Sequence, residues 1–237
     1  MLPESKEIIY AVKNAASEMK NDPVFSEVAD TIKGALISPL RQVSANSGRS
    51  DILWAILVLL EALMSAFGLT VFFRRGLFAL CTAFVEDIRY SDFSTAVREE
   101  GLGAFNIFAS QFLGSAAIIF SWILAVTLLM AVCKRKTSFF VSANTMTTAF
   151  MPSSILIAAA GIASIFYIPA AAMLMTAAAV SSVLLSYAGI QKMSRSDAPV
   201  FWIYIILVLI VIIISFFIER LCIGSLINDL IVQFTHS

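Results

Sequence analysis

The sequence is poor in the residues that most enzymes use for proton transfer and metal binding. It has one histidine, His236, next to the last residue, so a zinc site or a histidine-based triad would rest on that end of the chain alone. It has three cysteines, far apart in sequence and in or beside apolar runs, where a thiol acts as a small hydrophobic side chain. These cysteines are Cys81, Cys133 and Cys222.

Recognisable catalytic motifs are also absent. No Walker-type glycine loop, metal-ligand spacing or Ser/His/Asp arrangement occurs. The sequence therefore excludes an ATPase and a zinc protease, and it predicts a protein that is not an enzyme and needs no cofactor. A serine–lysine hydrolase is not excluded by composition, but its lysine would have to lie in or near the membrane beside a serine.

Charge of one sign is not in excess, because 16 basic residues balance 16 acidic ones. Nucleic acid is therefore excluded as a partner, since its binding needs a basic surface. Apolar residues, in contrast, make up 59 % of the chain, above the roughly 45–50 % of soluble domains. The composition predicts contact with a lipid bilayer and an all-α fold, a polytopic integral membrane helix bundle.

Five apolar runs are long enough to cross a membrane, whose core of about 30 Å needs roughly 20 residues in helix. They lie near residues 52–73, 104–132, 139–166, 169–190 and 200–218, within a transmembrane domain predicted over 51–237. Tyr167-Ile168-Pro169 is the only break between the third and fourth runs, so we expect a tight helical hairpin there. A decamer from Gly76 to Val85 is too short to cross, and we expect an interfacial or partly re-entrant helix.

Residues 1–50 are predicted to form a cytoplasmic region of two amphipathic helices separated by Asn21-Asp22-Pro23. In the second helix, apolar residues such as Phe25, Val28 and Ala35 recur at helical spacing. Such a stripe can lie on the membrane surface or dock on the protein's own spans, and the sequence leaves both open.

Lysine and arginine favour the cytoplasmic side of a membrane. With the N-terminus inside, eleven of these residues fall on the cytoplasmic side and five outside. We therefore expect a cytoplasmic N-terminus and an extracytoplasmic C-terminus, although Arg74-Arg75 at the outer end of the first span argue mildly against it. The N-terminus opens with a polar stretch, so no cleavable signal peptide is expected.

Glu61 lies near the middle of the first span, where an ionised carboxylate is costly unless it is paired, protonated or facing water. It is a candidate for a proton or ion relay or a substrate contact. The alternative is an interhelical hydrogen bond or a salt bridge to a partner subunit. Ser65 and Gly68 follow on the same helix face and predict a helix-packing seam.

Polar residues also open the third span, among them Asn144, Thr148 and Pro152. Pro152 removes a backbone donor and frees the carbonyl of Thr148. The segment is either a kinked, hydrated groove or ordinary packing of serines and threonines.

The second and fourth spans contain small residues that predict close helix contacts. In the second span, Gln111 lies one turn before Ser115, and Ser110 with Gly114 forms a small-xxx-small pair. The alanine-rich fourth span is thin enough that we expect other helices to surround it.

Several features of the chain resemble the Yip family of five-span membrane proteins, which are named as Ypt/Rab-interacting proteins and have bacterial members. They are the basic loop Lys134 to Lys136 before Thr137-Ser138-Phe139, the Ala149 to Ser153 stretch, the hairpin at Pro169 and the segment Tyr187 to Lys192. The sequence lacks the N-terminal zinc ribbon of many bacterial members, since no cysteine precedes Cys81.

The resemblance implies a non-catalytic accessory subunit in a bacterial cytoplasmic membrane. Its partner would be a larger membrane complex such as an ABC-type exporter, or further copies of the chain. Two alternatives remain: a small transporter or channel that uses Glu61, and a permease subunit of a multi-subunit exporter.

Overall fold

A computed structural model describes residues 23–44, 51–84, 89–90, 93–95, 103–132, 138–194 and 204–217. These residues form helices and no strand, which confirms the all-α fold. The principal helices are α1 (Pro23–Ile37), α2 (Pro39–Ser44), α3 (Leu53–Phe84), α4 (Ala104–Val132), α5 (Phe139–Phe166), α6 (Ile168–Ser194) and α7 (Tyr204–Phe217).

Four helices within the described residues, α3 to α6, are long and apolar enough to cross a membrane. The protein is therefore a polytopic membrane helix bundle. The predicted fifth span is represented by α7, whose 14 residues rise only about 21 Å in helix. The rest of that span, the basic loop 134–136 and the first amphipathic helix lie outside the described residues, so the count of five spans stays a prediction.

The first spanning helix is longer than expected. α3 runs for 32 residues through Arg74, Arg75 and Gly76 to Phe84, with no break after Phe73. As far as Phe84, residues 76–85 therefore continue α3 instead of forming a helix of their own, and their interfacial or re-entrant position stays a prediction. The physical reason is that one glycine and two arginines do not end a helix with apolar residues on both sides and no proline.

Two adjacent arginines lie inside α3, near the end of the candidate span Leu53–Ala79. Arg74 lies 21 residues after Leu53, about 31 Å along the helix, which matches the thickness of a bilayer core. Arg74 donates a hydrogen bond to Ser94 at 3.0 Å, and the Arg75 guanidinium lies 4.5 Å from the ring centre of Tyr90. Both cations thus have partners, and the candidate span continues past them to Ala79.

The hairpin predicted at Pro169 is present. Tyr167 alone separates α5 from α6, and its extended backbone allows its N–H to donate to the carbonyl of Ala163 at 2.8 Å. Pro169 is the second residue of α6, where a missing N–H breaks no helical hydrogen bond. The two helices run antiparallel, since Gly189 near the end of α6 faces Thr145 near the start of α5.

α5 is the central helix, packed against α3, α4, α6 and the two N-terminal helices. The main apolar cluster contains Trp122, Phe150 and Tyr204, from α4, α5 and α7. Val28 and Ala35 of α1 share a second cluster with helices of the bundle. Its other buried members are Leu53, Leu57 and Met151. The second amphipathic helix therefore docks on the protein's own spans.

α6 does not have the surroundings predicted for it. Its apolar 18-residue stretch is only 17 % buried, against 44 % for α5, so other helices of the described chain do not enclose it. The reason is its place in the bundle: α6 lies at the edge and packs mainly along one face, against α5.

Candidate functional site

Glu61 lies in the third turn of α3, eight residues and about 12 Å along the helix from Leu53. Its side chain is fully buried, and neither carboxyl oxygen has a hydrogen-bond partner among the described residues. A polar group in this position is normally paired, because an unsatisfied buried group costs about 1–3 kcal/mol. Glu61 is therefore the most unusual side chain of the described bundle.

Ser65 and Gly68 continue from Glu61 along the side of α3 that contacts α5. The hydroxyls of Ser65 and Ser154 are 3.4 Å apart and form a hydrogen bond between the two helices. One turn further, a Cβ on Gly68 would lie 2.1 Å from the backbone oxygen of Ile157. The absence of a side chain at Gly68 therefore lets the two backbones touch. We call this contact the α3–α5 seam and define it by Ser65, Gly68, Ser154, Ile157 and Gly161.

The sequence identified only the α3 side of the seam, and Gly161 is the most tightly packed residue on the α5 side that it missed. A Cβ there would lie 2.6 Å from the Cα of Gly68, so this position also has no room for a side chain. The available signal was the seven-residue interval from Ser154 to Gly161, which puts two small residues on one face of α5 two turns apart. This spacing indicates a close helix contact only when Gly68 is known to lie opposite Gly161, and the sequence does not show that.

The polar start of α5 is buried, and its threonines bond to carbonyls of their own helix, whereas the hydroxyls of Ser142 and Ser153 have no hydrogen-bond partner among the described residues. The hydroxyl of Thr145 donates to the carbonyl of Val141 at 2.7 Å. Thr147 and Thr148 bond in the same way to carbonyls at 2.9 and 2.8 Å, those of Ala143 and Asn144 respectively. Such bonds satisfy hydroxyls in an apolar environment without water. For the threonines, this geometry favours ordinary packing over the hydrated groove.

Pro152 lies inside α5, which continues without interruption from Phe139 to Phe166. Because proline has no N–H, the helix cannot supply the usual donor to the carbonyl of Thr148. Pro152 is half-buried and Asn144 and Thr148 are buried, so all three candidates lie within the bundle.

Gln111 and Gly114 are buried on α4, and Ser110 beside them is half-buried. α4 runs antiparallel to α3: Ile107 packs near Phe73 and Leu77, so Gln111 lies level with Thr70. Glu61 is nine residues before Thr70, about 14 Å along α3. The structure therefore places Gln111 in a different part of the bundle from Glu61.

Among the sequence-predicted polar residues, Glu61 lies between Leu57, which shares a cluster with Met151, and Ser65, which bonds to Ser154, so it is level with Pro152 of α5. Glu61, Ser65 and Gly68 line one side of α3, Asn144 and Thr148 occupy the first turns of α5, and Gln111 lies apart. No group of three or more His, Cys, Asp or Glu side chains that could hold a metal ion occurs among the described residues. What the arrangement offers chemically is one buried carboxyl that can take a proton, a cation or a hydrogen-bond donor from a partner.

Comparison with known proteins adds no relative. No protein-family model matches the chain, and neither a curated protein nor a solved structure matches it.

Proposed function

We propose that this protein is a non-catalytic accessory subunit that associates with a larger complex in a bacterial cytoplasmic membrane, such as an ABC-type exporter. The observation that carries the proposal is the exposed face of α6. This spanning helix is buried along one side only, and its exposed side presents small side chains beside the larger Met173, Val180 and Leu184. The small side chains include Ala172, Thr176 and Ala179.

Small side chains matter here because lipid tails are as apolar as leucine. Helices associate in a bilayer through close packing, which small residues permit by letting two backbones approach. Ala172 and Thr176 lie one turn apart, so they form a small-xxx-small pair on the exposed face. The Thr176 hydroxyl donates to the carbonyl of Ala172 at 3.0 Å, so its hydrogen already has an acceptor within α6.

The resemblance to the Yip family supports the same role, because it implies an adapter without enzymatic activity. Membership of that family is part of the proposal. So are the five spans, the cytoplasmic N-terminus and the extracytoplasmic C-terminus, which depend on the distribution of basic residues.

The test is co-purification from native membranes in mild detergent. Wild-type protein is expected to bring down a stoichiometric membrane partner, and the double variant Ala172→Leu/Thr176→Leu is expected to lose it because the added side chains separate the helices. Ala117→Leu is the matched control, since Ala117 is an exposed alanine on another spanning helix, α4. Recovery of wild-type protein only as a monomer would contradict the proposal.

A second candidate function is a small transporter or channel, and the fully buried carboxyl of Glu61 favours it. Ionisable side chains inside a membrane commonly mark ion or proton pathways. In proteoliposomes, Glu61→Gln would then abolish flux while the protein stays folded. Unchanged flux in this variant would remove the candidate.

The hypothesis that the protein is a permease subunit of a multi-subunit exporter has less support. Such subunits often have six spans, and the decamer that could have supplied a sixth belongs to α3 up to Phe84. Cysteine labelling of the segment Gly76 to Val85 in intact membranes tests it. Accessibility from the outer side would count against a permease.

A further inference from the structure

We infer that the junction of α1 and α2 is a membrane anchor that inserts apolar side chains into the acyl-chain region of the leaflet at this end of the bundle. We call this junction the elbow and define it by Leu36, Ile37 and Leu40. These three side chains are 57, 72 and 62 % exposed, although each is strongly apolar.

The elbow is held in a defined shape. The chain changes direction at Ser38 and Pro39, and the N–H of Ser38 still donates to the carbonyl of Gly34 at 2.9 Å. From α2, the side-chain amide of Gln42 donates to the carbonyl of Asp30 at 3.4 Å and packs directly against Gly34. α2 is therefore tied back to α1, and the exposed apolar side chains occur at a fixed bend.

The position of α2 along the length of the bundle follows from the residues that α2 contacts. Val43 packs in a cluster with Ala149 and Leu185 and lies directly over Gly189. Ala149 is ten residues into α5, about 15 Å from its first residue. The contact therefore lies beside the membrane-crossing lengths of α5 and α6 and not beyond their ends.

The neighbouring surface at this level is already apolar and exposed. Leu184, next to Leu185 on α6, is 62 % exposed on a helix that crosses the membrane. Lipid that covers Leu184 reaches the depth at which Val43 packs. Leu40 lies one turn before Val43 in α2, so the elbow borders this lipid-covered surface, and lipid is the occupant that fits its apolar side chains.

The polar side chains of α1 fit an interfacial position. Val28, Thr31 and Ala35 face the bundle, whereas Asp30 and Lys33 are exposed on the opposite side. Leu36 projects about 120° away from Asp30 around the helix axis, whereas Ile37 projects on the same side as Asp30 but about 10 Å further along the helix. Lys33 and Arg41 lie one turn before and one turn after Ile37, where long side chains can reach headgroup phosphates while the elbow enters the hydrocarbon.

The test is site-directed spin labelling of the full-length protein in proteoliposomes. Single cysteines replace Leu36, Ile37, Leu40 or Asp30 in a background that carries Cys81→Ala, Cys133→Ala and Cys222→Ala. Each label is measured for collision with oxygen, which concentrates in lipid, and with a water-soluble nickel chelate. Asp30 is the matched control because it is an exposed residue of the same helix.

We expect the three elbow labels to gain oxygen accessibility and lose nickel accessibility relative to the label at position 30. Equal nickel accessibility at all four positions would place the elbow in water and overturn the inference. Shielding of the elbow labels from both reagents would also overturn it, in favour of a protein surface covering the elbow. Anchoring of the elbow is independent of whether a partner binds α6, so either proposal can fail alone.

Discussion

Gly68 of α3 and Gly161 of α5 lie against each other with no room for a side chain, since a Cβ on Gly161 would lie 2.6 Å from the Cα of Gly68. This contact fixes how closely the two helices approach. It also brings the hydroxyls of Ser65 and Ser154 within 3.4 Å of each other. The stability of the bundle should therefore depend strongly on both glycines.

Gly68→Ala is expected to destabilise the protein. The new Cβ would lie 2.1 Å from the backbone oxygen of Ile157, an atom that cannot move without shifting α5. Overpacking of this kind costs about 1–3 kcal/mol. The melting temperature of the purified protein in detergent should fall accordingly.

Gly76→Ala is the matched control in the same helix. A Cβ at Gly76 meets no atom within 4 Å. Because alanine favours helix over glycine by roughly 0.5–1 kcal/mol, this variant should melt at a slightly higher temperature than wild type. Changes of the same sign in both variants would contradict the seam.

Glu61→Leu is expected to preserve or raise the stability of the isolated protein. The substitution removes two buried oxygens that lack hydrogen-bond partners among the described residues, and an unsatisfied buried polar group costs about 1–3 kcal/mol. Unfolding of detergent-solubilised protein measures the effect. A large loss of stability would mean that the carboxyl has a bonding partner inside the chain, and Glu61→Gln then separates loss of charge from loss of hydrogen bonding.

Tyr204→Phe is expected to loosen the contact between α6 and α7. The Tyr204 hydroxyl donates to the carbonyl of Val183 and lies 2.8 Å from the Ser186 hydroxyl. Hydrogen bonds between membrane helices contribute about 0.6 kcal/mol on average, so a small decrease in stability should result.

A double-mutant cycle with Tyr204→Phe and Ser186→Ala isolates the interaction between the Tyr204 and Ser186 hydroxyls from the packing of the tyrosine ring. The combined variant should lose less stability than the two single variants added together. Strict additivity would show that the two hydroxyls do not interact.

Thr147→Val is expected to be nearly neutral. The Thr147 hydroxyl is buried and bonds to the carbonyls of Ala143 and Asn144 in its own helix, so the variant removes a local bond and keeps the shape. The change in unfolding free energy should stay below about 1 kcal/mol. A large loss of stability or of flux would instead support a hydrated groove at the start of α5.

The long helices and their approximate ends could be predicted from sequence because the bilayer imposes them. A spanning segment must satisfy its backbone hydrogen bonds internally and be long enough to cross the hydrocarbon. The predicted runs at 104–132 and 139–166 therefore coincide with α4 and α5, and the break at Tyr167 is where one helix ends and the next begins. Glu61 also stood out, because a carboxyl within an apolar run contrasts with its sequence neighbours.

Only the tertiary structure decided which face of each helix is buried and which other helix it packs against. An apolar side chain is as well solvated by lipid as by protein, so hydropathy cannot tell an enclosed helix from an exposed one, and α6 was misjudged for that reason. The pairing of Gly68 with Gly161 and the docking of Ala35 near Leu57 join residues distant in sequence. Sequence alone determined that this chain crosses a membrane as helices, whereas close packing between those helices decided which surfaces remain for lipid or a partner.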